Sequence, residues 1–155
     1  MTAYFPLFLD LREKRFLMFG AGQIAARRME GLLRYGAVVT AVAPHISQEV
    51  QRLCIRYPEQ LVIEQRAYRR SEIQDGSADF VLAATDDKEV NALIFRECRH
   101  KGIPVNNASD RGQCDFYFPA LVERDNLVIG VTSTDGSHRT VAQFCDRLRQ
   151  EVSDV

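Results

Sequence analysis

Gly20-Ala21-Gly22-Gln23-Ile24-Ala25 joins an unbroken apolar run, Phe16-Leu17-Met18-Phe19, to an amphipathic stretch, and this junction constrains the chain more than any other feature. A continuous apolar run of that length suits a central parallel strand covered on both faces. The G-x-G-x-x-A spacing that follows is the fingerprint of a dinucleotide-binding turn. Gly20 permits the tight turn, and Gly22 has no Cβ to block a pyrophosphate. Ala25 lets the following helix lie close on the strand. The free N–H groups and the positive dipole end at Gln23 and Ile24 would face the phosphates.

From there the chain alternates strand and helix patterns. Ile24, Ala25, Met29, Leu32 and Leu33 make one helical face, and Gly36 is a natural stop. Residues 38–43 form a second apolar run. Ile46, Val50, Leu53, Cys54 and Tyr57 recur at helical spacing, with Ser47 as cap and Pro58 as terminator. Leu61 to Ile63 is a short strand, and the polar stretch from Tyr68 to Asp75 is a loop or a single helical turn. Phe80 to Ala84 is a further strand. It ends in Thr85-Asp86-Asp87, where the acidic pair can cap a helix with Val90, Leu93, Ile94 and Cys98 inside. Gly102 closes that helix, and the strand containing Val105 and Asn106 follows.

The pattern then changes. Asp115 to Val122 and Leu127 to Thr132 read as a hairpin around Glu123-Arg124-Asp125-Asn126. A last helix carries Val141, Phe144, Cys145, Leu148 and Val152 on one side. The predicted fold class is therefore α/β: a Rossmann-like doubly wound parallel sheet over residues 1–112, then a small β-hairpin plus helix over 113–155. A hairpin and one helix cannot bury both faces alone. They fold back on the sheet or meet a second copy, and the expected assembly is a homodimer. The apolar segment Tyr4 to Leu11 is expected to be an edge strand or a stretch packed over the core.

Composition excludes several classes. A net charge of −1 gives no general attraction to nucleic acid or anionic lipid, and no apolar run is long enough to span a membrane. No signal-peptide pattern opens the chain. Cys54, Cys98, Cys114 and Cys145 are scattered and contain no C-x-x-C pair. Reduced thiols in a cytoplasmic protein, without a metal site, are expected.

Laid out in order, these residues resemble the NAD-binding part of siroheme synthase and the stand-alone precorrin-2 dehydrogenases. The resemblance rests on residues 4–11 ahead of the first strand and on the glycine turn with Arg27-Arg28. It extends through Val39-Thr40-Ala41-Val42-Ala43-Pro44 and Ala83-Ala84-Thr85-Asp86-Asp87 with Val90-Asn91. Val105-Asn106 and then Cys114-Asp115-Phe116-Tyr117-Phe118-Pro119-Ala120 complete it. What it implies is oxidation of precorrin-2 to sirohydrochlorin with NAD as hydride acceptor, in siroheme biosynthesis, by a protein with a strand-and-helix dimerisation region. The alternatives are a bifunctional dehydrogenase and ferrochelatase, or a nucleotide-sensing module without chemistry.

Cofactor positions implied by the resemblance are Gly20, Gly22, Gln23 and Ile24 at the turn, and Ala43, Pro44 and His45 after the second strand. No Asp or Glu ends that strand to hold a ribose, which leaves NAD against NADP open on the residues alone. Thr85, ending a central strand, belongs beside the nicotinamide or caps the next helix. Relatives carry a catalytic aspartate where Ser109 stands here, with Asp110 next to it. A serine has no pKa suited to general-base work near neutrality, whereas a carboxylate does. Asp110 either substitutes after a one-residue shift of the loop or is a turn residue before Gly112. The tetrapyrrole substrate is rich in carboxylates, so Arg12, Arg15, His138 and Arg139 are its candidate contacts, with solvated surface charge as the alternative for each.

Overall fold

The structure, a computed structural model, describes residues 4–153 and groups them into two compact units. Residues 10–117 form the larger one. Its sheet has five parallel strands: β1 (Arg15–Phe19), β2 (Val38–Val42), β3 (Leu61–Glu64), β4 (Phe80–Ala83) and β5 (Val105–Asn107). The order is β3-β2-β1-β4-β5, so β1 lies between β2 and β4. Parallel neighbours need crossovers, which here are α1 (Gln23–Arg34), α2 (Gln48–Arg56) and α3 (Lys88–Lys101). The strand order reverses between β1 and β4, so the crevice at their carboxyl ends is the topological switch point where ligands bind in such folds.

Two apolar layers hold the sheet. On one face Phe16, Met18, Val39, Ala41 and Leu82 pack with Ala25, Met29, Leu32 and Leu33 of α1 and Val50 and Leu53 of α2. On the other, Phe19, Val42, Val81, Ala83 and Val105 pack with Ile94 and Cys98 of α3. Met29 and Ile94 are completely enclosed, and each such side chain contributes about 1.5–3 kcal/mol of burial. The β3-to-β4 crossover has no helix. Its loop is held by Glu97, which accepts from Tyr68 Oη at 2.6 Å and from Ile73 N–H at 2.8 Å. The helix punctuation falls where expected. Ser47 accepts from Val50 N–H at the start of α2, Asp87 accepts from Glu89 and Val90 N–H at the start of α3, and Gly36 and Gly102 take positive φ at the stops.

Burial also sets the chemistry of Cys98. Removal from water, reinforced by the charges of Glu97 and Asp115, pushes its thiol up to about 12. At about pH 8 only on the order of one molecule in ten thousand then carries the thiolate. Native protein should leave Cys98 unmodified by iodoacetamide under conditions that fully alkylate it in denaturant. Peptide mass spectrometry reads the difference, and rapid native modification would contradict the burial.

Residues 4–9 and 118–153 form the second unit: a hairpin of β6 (Ala120–Arg124) and β7 (Leu127–Val131), and α4 (His138–Ser153). Cys145 is buried in it, and Phe144 is 44% exposed. The side chain of Val152, predicted on the apolar side, lies outside the described residues.

Three local expectations are corrected. Residues 115–119 are not strand: the Asp115 carboxylate turns back to take the Val105 N–H at 3.0 Å and Arg99 at 2.9 Å, so β6 begins only at Ala120. The hairpin loop is two residues rather than four, because Arg124 pairs with Leu127 and Asp125 adopts φ 51°. Finally, the segment from Tyr4 to Leu11 is not an edge strand and packs on the core at Leu11, while Phe5, Leu7 and Phe8 are 84%, 71% and 70% exposed.

Candidate functional site

Four segments converge at the carboxyl edge of the large sheet, and main-chain hydrogen bonds tie them together. Gly20 N–H donates to Val42 O at 2.9 Å, Ala84 N–H to Phe19 O at 2.8 Å, and Ala108 N–H to Ala83 O at 2.8 Å. Ser47 N–H reaches the Ala21 carbonyl at 3.0 Å, closing the turn after β2 onto the glycine turn. The positions predicted at 20–24, 43–45, 85 and 109–110 are thus brought onto one edge of the sheet.

The two glycines of the turn do different jobs. Gly20 has φ 109°, and a Cβ there would collide with the Ala84 carbonyl and come within 2.9 Å of Thr85 N. Its lack of a side chain is required by the fold. Gly22 has an ordinary φ of −82°, and a Cβ there would meet nothing within 4 Å. The space it leaves open is not needed by the protein itself.

Beside that space α1 begins without a side-chain cap and with no acidic residue in its first turn, whereas α2 and α3 are capped by Ser47 and Asp87. Its first N–H groups therefore lack the usual carboxylate or hydroxyl partner, and Gly22, Gln23 and Ile24 are exposed. An uncapped helix start behind an open glycine is a fit for a diphosphate. Ile24, expected on the buried face, is instead 59% exposed. That face is centred on Ala25, Met29 and Leu32, which turns the neighbouring position outward.

Ala43 is buried, while Pro44 and His45 are exposed after β2. Thr85 caps as well as ending β4. Its hydroxyl donates to Asn91 Oδ1 at 2.7 Å or the Asp87 carbonyl at 2.9 Å, and accepts from Asp87 N–H at 3.3 Å. Ser109 is exposed and bonded to both Asn91 and Asn107. Asp110 opens a short turn, its Oδ1 accepting the Gly112 N–H at 2.8 Å.

The predicted substrate contacts fall in both units, Arg12 and Arg15 in the larger and His138 and Arg139 in the smaller. Arg12 is exposed and paired with Asp10, and it lies beside Gly36, ahead of the strand starts. Arg15 begins β1 and leans towards Asp79, at the amino end of the strands. There it lines a cavity of about 390 Å³ under the 66–77 loop. Both arginines sit at the sheet edge opposite the glycine turn. His138 and Arg139 are exposed at the start of α4, in the second unit.

Sequence reasoning passed over the residues that hold this edge in shape. Asn91, Asn106 and Asn107 are the buried polar side chains among the described residues. Arg28 of α1 donates to Asn106 Oδ1 at 2.6 Å, and Asn106 Nδ2 donates to the Phe116 carbonyl at 2.7 Å, which fastens the helix behind the glycine turn to β5. Burial lowers the pKa of Arg28 from its ordinary value, yet an arginine stays charged. One signal was available: Asn91 occupies the apolar stripe of α3, three residues before Ile94 and seven before Cys98.

Residues 7–120 match the family model described as "Putative NAD(P)-binding". The chain belongs to this NAD(P)-binding family. Its relatives include a "Probable multifunctional siroheme biosynthesis protein HemA" of Ruminiclostridium josui, 38% identical over 151 residues, covering 94% of this chain and 28% of that protein. A siroheme synthase of Psychrobacter cryohalolentis is 38% identical over 129 residues, covering 83% and 24%. Among solved structures, the precorrin-2 dehydrogenase SirC superposes with a TM-score of 0.74 at 28% identity, covering 97% of this chain and 70% of that one. The chain thus spans about a quarter of the length of these curated relatives. The resemblance carried by the motifs, and the Rossmann-like sheet followed by a hairpin, are borne out. No helix among the described residues is long and apolar enough to cross a membrane.

Proposed function

We propose that this chain is an NAD-dependent precorrin-2 dehydrogenase, acting as a homodimer in the cytoplasm. The observation that carries the reading is the open, uncapped helix start at Gly22, set on the same sheet edge as Thr85 and Ser109. The likeness to SirC supports the substrate. The family match supports a nicotinamide dinucleotide, and the choice of NAD rests on the resemblance to precorrin-2 dehydrogenases, since Ala43-Pro44-His45 carries neither an acidic ribose partner nor an arginine for a 2′-phosphate.

Bound there, the cofactor supplies the hydride acceptor, and precorrin-2 loses one hydride and one proton to become sirohydrochlorin. The chain's part is to grip and orient. N–H groups at Gln23 and Ile24 hold the diphosphate, the turn at 43–45 supports the adenosine, and Thr85 stands beside the ring. His138 and Arg139 are assigned to substrate carboxylates ahead of Arg12 and Arg15, which lie at the sheet edge opposite the glycine turn. The dimer is supported by exposed apolar side chains in the second unit, among them Phe5, Leu7, Phe8, Leu127 and Phe144.

The released proton passes to solvent at the exposed 109–110 edge. Purified protein with precorrin-2 and NAD should form one NADH per sirohydrochlorin, and NAD binding without turnover would refute the assignment. Asp110→Asn keeps the Gly112 cap, since Asn caps as well as Asp. It should therefore leave kcat within about twofold of wild type, the spread of an ordinary surface substitution. A large fall with a shifted pH profile would make Asp110 the base instead.

A further inference from the structure

The hydrogen-bond directions around Ser109 are set by backbone groups at both ends of a short amide relay. Asn91 Oδ1 accepts the Thr85 N–H at 3.0 Å, and Asn91 Nδ2 donates to the Thr85 carbonyl at 3.0 Å, so this buried amide has a single orientation. The second Nδ2 proton points to Ser109 Oγ at 3.2 Å, which must accept it. At the other end Asn107 Oδ1 accepts the Ser109 N–H at 2.9 Å, which fixes that amide as well, and its Nδ2 is committed to Gln113 Oε1 at 2.9 Å. The Ser109 hydroxyl proton therefore goes to Asn107 Oδ1, at 2.7 Å.

A hydroxyl has one proton and two lone pairs. Ser109 has committed its proton and one lone pair inward, and it is exposed. We infer that Ser109 is an acceptor-only binding contact, whose remaining lone pair takes an N–H group of the ligand at the carboxyl edge of the sheet. The inference rests on the proposed function and deepens it. Two groups in that reaction carry such an N–H: the carboxamide of the nicotinamide ring and the pyrroles of the tetrapyrrole. Thr85 points the same way, because both possible acceptors of its proton, Asn91 Oδ1 and the Asp87 carbonyl, belong to the protein. The Thr85–Ser109 end of this edge thus offers oxygen lone pairs, not protons. This explains how a serine can serve here: it accepts a hydrogen bond without having to ionise.

The test compares calorimetric affinities of wild type, Ser109→Ala and Ser109→Thr for three probes. They are NAD, acetylpyridine adenine dinucleotide (a methyl in place of the carboxamide NH₂) and sirohydrochlorin. Loss of one neutral hydrogen bond weakens binding about five- to tenfold. If the carboxamide is the donor, Ser109→Ala should lose that factor for NAD and nothing for the acetylpyridine analogue. If a pyrrole is the donor, the loss should fall on sirohydrochlorin, with NAD unchanged. Ser109→Thr should restore either. Equal affinities of wild type and Ser109→Ala for all three probes would overturn the inference. So would equal losses for NAD and its analogue, which would mark a merely structural effect. Should Ser109→Ala not fold, Ser109→Cys takes its place: a thiol is a weak acceptor, so it should show the same selective loss, for NAD and not its analogue or for sirohydrochlorin, and equal affinities would again overturn the inference. Turnover of precorrin-2 by wild type is read separately, so the inference can fail with the dehydrogenase intact, and the reverse.

Discussion

Gly22→Asp should abolish NAD binding while leaving the protein as stable as before, or slightly more so. The backbone at Gly22 is extended, with φ −82° and ψ −170°, and a Cβ would meet no atom within 4 Å, so the fold has room for the side chain. Aspartate is moreover a preferred residue at a helix N-cap. Its carboxylate would take the N–H groups that α1 leaves uncapped, acting as a resident anion where the diphosphate must go. Two like charges about 4 Å apart at an effective dielectric of 20 repel by roughly 4 kcal/mol, on the order of a thousandfold in affinity. Calorimetric titration with NAD, paired with a thermal melt, reads both halves of the prediction. An unchanged affinity would mean that the diphosphate is not held at this helix start.

The second large effect is expected at a residue that touches no ligand. Asn91→Leu preserves volume but removes the partner of the Thr85 N–H, the Thr85 carbonyl and the Ser109 hydroxyl. Each of the two Thr85 backbone groups left without its partner costs about 1–3 kcal/mol, while the exposed Ser109 hydroxyl turns to water. With Asn91 completely enclosed and water unable to replace it, a loss of about 3 kcal/mol is expected, or roughly 10 °C in melting temperature for a chain of this size. The same variant should weaken NAD binding, because Thr85 and Ser109 lose their common tether. A melt within a degree or two of wild type would show that the asparagine relay does not hold the edge in shape.

The contrast between these two sites shows what could be read from the residues. The glycine turn was legible because its requirement is local: a strand, a positive φ at position 20 and a bare helix start all lie within a few residues. The strands were legible for a related reason, since burial on both faces writes an unbroken apolar run. Ser47, Asp87, Gly36 and Gly102 punctuate the helices where their chemistry demands. The asparagine relay was not legible, because it depends on contacts far apart in the chain. Asn91 reaches Ser109 across 18 positions, and Arg28 reaches Asn106 across 78. Nor does a sequence reveal which way an amide or hydroxyl points. The same limit misdirected the reading of residues 115–119, where one long-range bond from Asp115 to Val105 N–H outweighs strand propensity. It also hid the fact that Arg15, close to the glycine turn in sequence, lies a whole strand away from it in space.

A crystal structure of the protein with NAD bound tests the central claim most directly. The diphosphate should sit over Gly22 and accept hydrogen bonds from the N–H groups of Gln23 and Ile24, with the nicotinamide end on the side of Thr85 and Ser109. A dinucleotide bound elsewhere, or a diphosphate held by side chains with the start of α1 facing water, would contradict it.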